Sequence, residues 1–188
     1  MADGTEGGGV GARDEALRYL SARPQRVLAL EVRPQKIGFV VFDGATKVTD
    51  WGVSWTIAKR SRRSIAEAGI RRLLDRYFPA MIVMRPSEKP AKTADAVPAT
   101  LAIIRAEARR RSVRCRTVHA PQVKRFYARL GCTTKHEIAL LMAEWFEELV
   151  WIIPPKRKAW HREHHRTCVF DAAAAGAFVF GTDTSTQA

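Results

Sequence analysis

A loop near the C-terminal end holds the chain's densest group of chemically active side chains. His161, His164 and His165 have types that bind zinc, but cations are interleaved among them and no cysteine pair lies nearby. The loop instead favours contacts to phosphates, with an indole that can stack on a base. The side chains that carry this prediction are Lys156, Arg157, Lys158, Trp160, His164 and His165. A solvated basic loop is the alternative interpretation.

Two further basic clusters have the same phosphate-binding chemistry. One precedes the first predicted helix and contains Lys59, Arg60, Arg62 and Arg63. The other runs from Arg105 to Arg116, includes Arg109 and Arg110, and contains few acids. A solvated helix face is the alternative for such a run. The whole chain has 32 Lys and Arg against 19 Asp and Glu, a net charge of +13, which favours a polyanionic partner.

Three acidic residues occupy positions that suggest a site. Glu31 ends an apolar strand, where an acid without a partner is unfavourable. A role in a site is favoured there, and a salt bridge to Arg33 or Lys36 is the alternative. Asp171 lies at the start of the last predicted helix, where helix capping explains an acid as well as metal binding does. Glu88 lies in a loop with Pro and Lys, where a solvated acid is expected.

Length and composition limit the architecture. With 188 residues, one domain is expected. No apolar run of about 18 residues predicts a membrane span, and no secretory signal is recognisable. Three isolated cysteines, Cys115, Cys132 and Cys168, indicate neither a zinc ribbon nor a disulfide framework and favour a reduced, cytoplasmic setting. We expect a disordered Gly-rich segment over 1–22, one domain over 23–181 and a disordered tail over 182–188.

Hydrophobic periodicity predicts three strands joined by short turns, followed by alternating helices and strands. Their order, β-β-β-α-β-α-β-α-α, predicts an α/β fold with a mixed five-stranded sheet flanked by helices. Capping boxes at Ser64 with Glu67 and at Thr134 with Glu137 mark two helix starts. The predicted strands are 27–32, 37–42, 48–57, 80–84 and 114–119, and the predicted helices are 64–77, 96–111, 134–149 and 169–180. Four tryptophans are expected in the core or at a subunit interface: Trp51, Trp55, Trp145 and Trp151.

The element order and four local strings resemble the RuvC-type Holliday-junction resolvases, a branch of the ribonuclease H-like fold. The strings follow the family's order and span residues 26–180. They are Leu28-Ala29-Leu30-Glu31 with Lys36-Ile37-Gly38-Phe39, Tyr77-Phe78-Pro79, Ala120-Pro121-Gln122-Val123-Lys124 followed by Gly131 and Lys135, and the Ala-rich segment from Asp171 to Ala177. The resemblance implies a ribonuclease H-like sheet, DNA rather than RNA as the partner, and a homodimer.

The resemblance also implies phosphodiester hydrolysis with two divalent metal ions held by four acidic positions. Glu31 falls on the first position, one methylene longer than the family's Asp. The second falls on the cation Arg85, with Glu88 shortly after it, and the third on Asp171. The fourth falls on Ala174. Side chains of the preceding loop are candidates to replace the missing acid: Glu163, His164 and His165.

Two functions are consistent with this pattern, and a third is weaker. The first is a Mg²⁺- or Mn²⁺-dependent endonuclease that cuts branched or structured nucleic acid, with Glu31, Glu88 and Asp171 as its catalytic metal ligands. The second is a catalytically inactive RuvC-like protein that binds nucleic acid or serves as a scaffold. The third is a structural partner whose charge only aids solubility. The resemblance adds two lysines to the predicted nucleic-acid contacts, Lys124 and Lys135, and Arg85 is a further predicted contact.

Overall fold

A computed structural model of the chain describes residues 26–55, 62–88, 95–156 and 163–184. Its centre is a five-stranded sheet in the order β3-β2-β1-β4-β5. The strands β1, β2 and β3 form the predicted antiparallel meander, while β4 and β5 continue the sheet parallel to β1. The strands are β1 Arg26–Val32, β2 Lys36–Asp43, β3 Val48–Trp55, β4 Met81–Pro86 and β5 Arg114–Thr117. The structure confirms the mixed five-stranded sheet.

The sheet buries both of its faces, which explains why β1 is an almost uninterrupted apolar run. Side chains alternate between the faces along each strand. Leu28 and Leu30 point to one face, where α1 (Arg62–Tyr77) and α2 (Ala96–Arg110) cover them. Ala29 points to the other face, which is covered by the helices that follow β5. Glu31 is two residues after Ala29 and shares its face.

The second face is covered by three α-helices and one short 3-10 helix. They are α3 Ala120–Ala128, α4 Lys135–Trp145, the 3-10 helix Glu147–Ile152 and α5 Thr167–Thr184. The α5 helix packs closely on the sheet because Gly176 faces it: a Cβ there would collide with the Phe42 ring and approach Ala29. Tyr127 of α3 is fully buried, and its hydroxyl donates a hydrogen bond to the Ala174 carbonyl at 2.9 Å.

The structure adds one helix that we did not predict and corrects the bounds of two that we did. We did not predict α3 as a helix, although Pro121 in its first turn and the bond from the His119 amide to Gln122 Oε1 at 2.9 Å are start signals. The helix after Thr134 begins at the predicted capping box but ends at Trp145, because Phe146 has extended backbone angles. The helix predicted from Ser64 already begins at Arg62, so Ser64 lies inside it.

The described residues test several other predictions only in part. The α5 helix continues to Thr184, into the segment that we expected to be a disordered tail. Trp51 packs against the core, whereas Trp151 is 86% exposed and therefore not a core residue. Segment 1–22 lies outside the described residues, as do predicted contacts Lys59, Arg60, Arg157, Lys158 and Trp160. None of the described helices is long and apolar enough to cross a membrane.

Candidate functional site

The carboxyl ends of the parallel strands bring two predicted site residues together. Glu31 on β1 lies directly across from Arg85 on β4 in the parallel register. The same Glu31 faces Gly38 on β2 in the antiparallel register. Since β1, β4 and β5 end at one edge of the sheet, the chain turns and helix starts that follow them gather there. We call this side of the sheet the carboxyl edge.

Gly38 lets the start of α5 approach this edge. A Cβ at position 38 would collide with the backbone carbonyl of Cys168, in the first turn of α5. Only glycine permits that approach. Asp171 follows Cys168 by about one helical turn, so the close packing at Gly38 carries its carboxylate to Glu31. The resemblance placed a glycine and an acid at these two positions, and the packing shows how the first positions the second.

Arg85 bridges the two acids. Its Nη1 donates to Glu31 Oε2 at 2.6 Å and lies 3.4 Å from Asp171 Oδ1. Arg85 is only 6% exposed, so the ion pair lies inside the protein. The residue that we assigned to nucleic-acid contact is therefore engaged internally, between the carboxylates expected to bind metal.

Arg33 makes a second bridge over the same acids. It follows β1 directly, in a tight turn closed by its amide and the Lys36 carbonyl at 3.0 Å. Its Nη2 donates to Asp171 Oδ2 at 2.6 Å, its Nη1 to Glu163 Oε2 at 3.0 Å, and its Nε lies 3.4 Å from Glu31 Oε1. One guanidinium thus contacts three carboxylates from three separate parts of the chain.

Lys135 closes the arrangement from the solvent side. Its Nζ donates to Asp171 Oδ2 at 2.7 Å and to Glu163 Oε1 at 2.8 Å, and its side chain is 41% exposed. The first turn of α4 positions it, next to the Thr134 capping box. We call the set of three acids and three cations the edge cluster. Its members are Glu31, Arg33, Arg85, Lys135, Glu163 and Asp171.

The electrostatics of the edge cluster follow from its burial. Burial, with repulsion from Asp171, raises the pKa of Glu31 to about 7, and the attraction of Arg85 and Arg33 does not cancel this. Burial alone lowers the pKa of Arg85 and of Arg33, but the attraction of Asp171 and Glu31 is stronger and raises both pKa values above their ordinary range. Both guanidinium groups therefore stay charged.

The edge cluster does not fit a divalent metal ion. Glu31, Asp171 and Glu163 already accept hydrogen bonds from cations, and the Arg85 guanidinium lies between the first two. A dication there would face three positive charges at short range. Among residues 26–55, 62–88, 95–156 and 163–184, no three His, Cys, Asp or Glu side chains form a group able to hold a metal.

Glu88 is not part of the edge cluster. Its side chain is 47% exposed, and its Oε2 lies 3.6 Å from the Lys124 Nζ. This is the surface position expected for an acid in a Pro- and Lys-containing loop. The structure therefore brings together two of the three predicted metal ligands, Glu31 and Asp171, and leaves the third on the surface.

The remaining predicted contact residues divide between two parts of the molecule. Five of them belong to the carboxyl edge: Lys124 in the middle of α3, Lys135, Lys156, His164 and His165. His164 and His165 stack with ring centroids 4.3 Å apart. Burial and the neighbouring His164, Arg166 and Lys36 lower the pKa of His165. Arg109 and Arg110 lie on α2, across the sheet, where Arg110 Nη1 pairs with Glu107 at 3.3 Å.

Two members of the edge cluster, Arg33 and Glu163, were not among the predicted site residues. Arg33 appeared only as an alternative salt-bridge partner of Glu31, and Glu163 only as a replacement for the missing fourth acid. The only signal for Arg33 was its position two residues after Glu31, and for Glu163 its position in the loop before Asp171. Their meeting with Asp171 depends on how α5 packs, which the local sequence does not show.

Comparisons with known proteins identify the fold. No protein-family model and no curated protein matches the chain. Thermus thermophilus RuvC matches with a TM-score of 0.64 and 19% identity, over 86% of this chain and 97% of that chain. The same RuvC in complex with a Holliday junction substrate matches with 0.65 and 20%, over 86% and 97%. The yeast mitochondrial Holliday junction resolvase Ydc2 matches with 0.65 and 14%, over 94% and 88%.

The chain has a RuvC-like resolvase fold. The structural matches confirm the predicted resemblance and the ribonuclease H-like sheet with its flanking helices. Within this RuvC-like fold, the carboxyl ends of β1 and β4 and the start of α5 carry the edge cluster. Identities of 14–20% establish the fold alone, so the activity has to be inferred from the chain's own residues.

Proposed function

We propose that this protein binds branched or structured DNA across its carboxyl edge and does not cut DNA at the edge cluster. The observation that carries the proposal is the Arg85 guanidinium, which hydrogen-bonds Glu31 and contacts Asp171 inside the protein. A cation in that position takes up the carboxylates that would hold a metal ion. Of the functions predicted from the sequence, the geometry favours the RuvC-like binding protein over the Mg²⁺- or Mn²⁺-dependent endonuclease.

The charge distribution supports binding. The chain has a net charge of +13, while the edge cluster itself contains equal numbers of acids and cations. The excess positive charge is therefore outside the edge cluster, and exposed cations at the carboxyl edge, such as Lys124 and Lys156, are free of the buried network. Phosphate contacts from such side chains supply most of the affinity of sequence-independent DNA binding.

The structural neighbours favour a junction as the ligand. One of them is a RuvC solved in complex with a Holliday junction substrate. A similar fold positions a surface of similar shape, and the side chains of this chain decide whether that surface is basic. We infer DNA rather than RNA from this likeness, and the choice is tested by comparing a four-way DNA junction with an RNA junction of the same sequence.

The binding experiment measures affinity for a labelled four-way DNA junction at several salt concentrations. We expect affinity to fall steeply with salt, and we expect Lys124→Ala and Lys156→Ala each to lower the salt slope by about one. Lys47→Ala is the matched control, because Lys47 is an exposed lysine in the β2–β3 turn at the opposite edge of the sheet. Equal effects from all three substitutions would contradict a binding surface at the carboxyl edge.

The cleavage experiment incubates the same junction, a duplex and an RNA/DNA hybrid with the protein and Mg²⁺ or Mn²⁺. We expect no product that depends on the edge cluster, so wild type and Asp171→Asn should give the same trace. Junction cutting by the wild type that Asp171→Asn abolishes would overturn the non-cutting proposal and restore the endonuclease hypothesis. Binding to the junction in the same samples shows that the substrate was engaged.

Two further expectations, on oligomeric state and on cellular location, remain predictions. The resemblance implies a homodimer, and sedimentation velocity of the chain with and without a junction tests it. The three isolated cysteines favour a reduced, cytoplasmic setting. Fractionation of cells that express the chain at native level tests that location.

A further inference from the structure

We infer that a cavity beside the edge cluster accepts one unpaired nucleotide of the bound nucleic acid. The inference rests on the proposed DNA binding and names a second, more specific contact within it. The cavity has a volume of about 310 Å³ and lies between the start of α4, the 154–156 segment and the start of α5. Small-ligand pockets begin at about 300 Å³, so a single nucleotide is of the right scale and a base pair is too large.

The position of the cavity links it to the strand that we expect at the carboxyl edge. Lys135 and Glu163 belong both to the edge cluster and to the cavity lining. A DNA backbone that passes the edge cluster therefore runs past the cavity mouth. Lys156, also in the lining, is exposed and places a second positive charge there. Two lysines at one mouth suit the phosphate of the entering nucleotide.

The acid in the lining does not repel that phosphate. Glu163 Oε1 accepts from Lys135 at 2.8 Å, and Oε2 accepts from Arg33 at 3.0 Å. Its charge is thereby compensated on both oxygens. The field at the mouth is set by the remaining cation, Lys156, and by the share of the Lys135 charge that is not matched by its two carboxylate partners.

The interior of the cavity suits a base. Pro154 and the imidazole of His164 contribute flat or apolar surface to the lining, on which a π-system can stack. His136 lines the same cavity, and its Nδ1 is buried without a hydrogen-bond partner among the described residues. A buried imidazole nitrogen without a partner is unfavourable. A base edge in the cavity offers a hydrogen-bond partner of the kind that this nitrogen lacks.

Because the site is a cavity, an unpaired nucleotide can enter it, whereas the bases of a continuous duplex cannot. A paired base is stacked inside the helix and reaches a pocket only after it is extruded, which costs a few kcal/mol and least where pairing is already lost. Branched DNA offers such nucleotides at its branch point. The cavity therefore gives the protein a means to prefer a branch with an unpaired nucleotide over a continuous duplex of equal charge.

The test compares two labelled DNA hairpins that differ by a single extrahelical nucleotide. Fluorescence anisotropy is measured for wild type, His136→Leu, His164→Ala and the control His119→Ala, an exposed histidine at the start of α3. We expect wild type and His119→Ala to bind the hairpin with the extra nucleotide about tenfold more tightly, the scale of one stacked base. His136→Leu and His164→Ala should each reduce this preference to near unity. Binding to the plain hairpin should stay unchanged in His136→Leu, whereas His164→Ala, at the proposed DNA surface, is judged only by the ratio of the two affinities.

The outcomes separate this inference from the proposed function. If wild type binds both hairpins equally, the cavity does not take a nucleotide, although DNA binding stands. If neither hairpin nor the four-way junction is bound at low salt, the proposed function fails and this inference fails with it. Melting temperatures of the variants show that they are folded, and the two histidine variants provide independent tests should one of them unfold.

A second measurement reports on the cavity without duplex DNA. The imidazole signals of His136 and His164 are followed by NMR while adenosine monophosphate or inorganic phosphate is added. We expect the nucleotide to shift both signals and phosphate alone to leave His136 unmoved, because only the base reaches it. Equal shifts from both additions would mean that the cavity is a phosphate site, and would overturn the assignment of a base to it.

Discussion

Two acids buried by cations lie on opposite sides of the sheet, and their environments differ. Glu107 on α2 accepts hydrogen bonds from Arg71 at 2.9 Å and Arg110 at 3.3 Å, and both arginines are substantially exposed. Glu31 pairs with Arg85 and Arg33, which are almost as buried as the acid itself. At Glu107 solvated cations cover a buried acid. At Glu31 the acid and its cations are all removed from water.

The pKa directions express this difference. Although burial alone raises the pKa of Glu107, hydrogen bonds from Arg111 and Arg71 bring it below its ordinary value. Burial and the adjacent Asp171 raise the pKa of Glu31 instead, despite its two guanidinium partners. We call Glu107 with Arg71, Arg110 and Arg111 the Glu107 group, and it joins α1 to α2 at low energetic cost. The edge cluster, in contrast, keeps charges in a place where apolar side chains would be at least as stabilising. This cluster lies at the carboxyl edge, across which we propose that DNA binds.

The largest expected effect comes from removing one cation of the edge cluster. Arg85→Leu removes the cation that hydrogen-bonds Glu31 and contacts Asp171, and leaves Arg33 as their remaining shared partner. We expect the free energy of unfolding to fall by about 3–5 kcal/mol, the range for breaking a buried ion pair. Urea denaturation followed by tryptophan fluorescence measures it. A loss below about 1 kcal/mol, the range of a surface pair, would show that the two acidic sites do not differ as described.

The pH dependence of stability isolates Glu31. Its pKa is 4.5 in the unfolded chain and about 7 in the folded one, so between these values the unfolded state releases the proton first. Stability from this group is complete below about pH 4.5 and is lost as the pH rises to about 7, by on the order of 3 kcal/mol. Glu31→Gln removes the titration. The unfolding free energy of wild type minus that of the variant should fall across this window.

That difference is obtained from denaturation curves at half-unit pH intervals. A difference that rises with pH would mean that Arg85 and Arg33 dominate the environment of Glu31. The Glu107→Gln variant provides the comparison, because the pKa of Glu107 is lowered. For Glu107 the sign is reversed: stability is present above the unfolded pKa and is lost as the pH falls through the folded value.

A smaller change in stability is expected when one glycine in each of the two regions is replaced by alanine. Gly38→Ala places a methyl group against the Cys168 backbone, and we expect it to destabilise the fold by about 1–3 kcal/mol through overpacking. Gly69, inside α1, meets only the Ser54 hydroxyl at 3.4 Å. Gly69→Ala is the matched control and should stabilise by about 0.5–1 kcal/mol, since alanine favours a helix. Thermal melts measure both, and destabilisation by both to the same degree would contradict a special close approach at Gly38.

The smallest effect concerns a single exposed cation of the Glu107 group. Arg110→Ala removes one of its arginines, whose side chain is 66% exposed, and leaves Arg71 and Arg111 in place. We expect a loss of about 0–1 kcal/mol. Denaturation at low and at high salt measures it, and the loss should shrink at high salt because exposed pairs are screened. A loss as large as that of Arg85→Leu would remove the distinction between the two sites.

Local patterns in the sequence predicted much of the fold but only part of the site. The apolar run ending in Glu31 and the count from Pro79 to Arg85 both predicted positions that the parallel register places side by side. The Thr134 capping box was predicted and is formed. The α3 helix was missed because the segment from Ala120 to Lys124 was interpreted only through its likeness to a family string. The end of α4 was missed because the apolar spacing continues through the break at Phe146.

The sequence by itself determined the order of strands and helices along the chain, the excess of basic residues and the identity of the charged residues at the strand ends. These follow from periodicity and composition, which act over a few residues. The tertiary structure decided that Arg33 reaches Asp171 and Glu163, more than a hundred residues away along the chain, and that Glu88 stays at the surface. Packing of α5 against Gly38 determines those distances. Whether a carboxylate has a cation or a metal ion as its partner depends on such distances, because the interaction of charges inside a protein changes steeply with separation and burial.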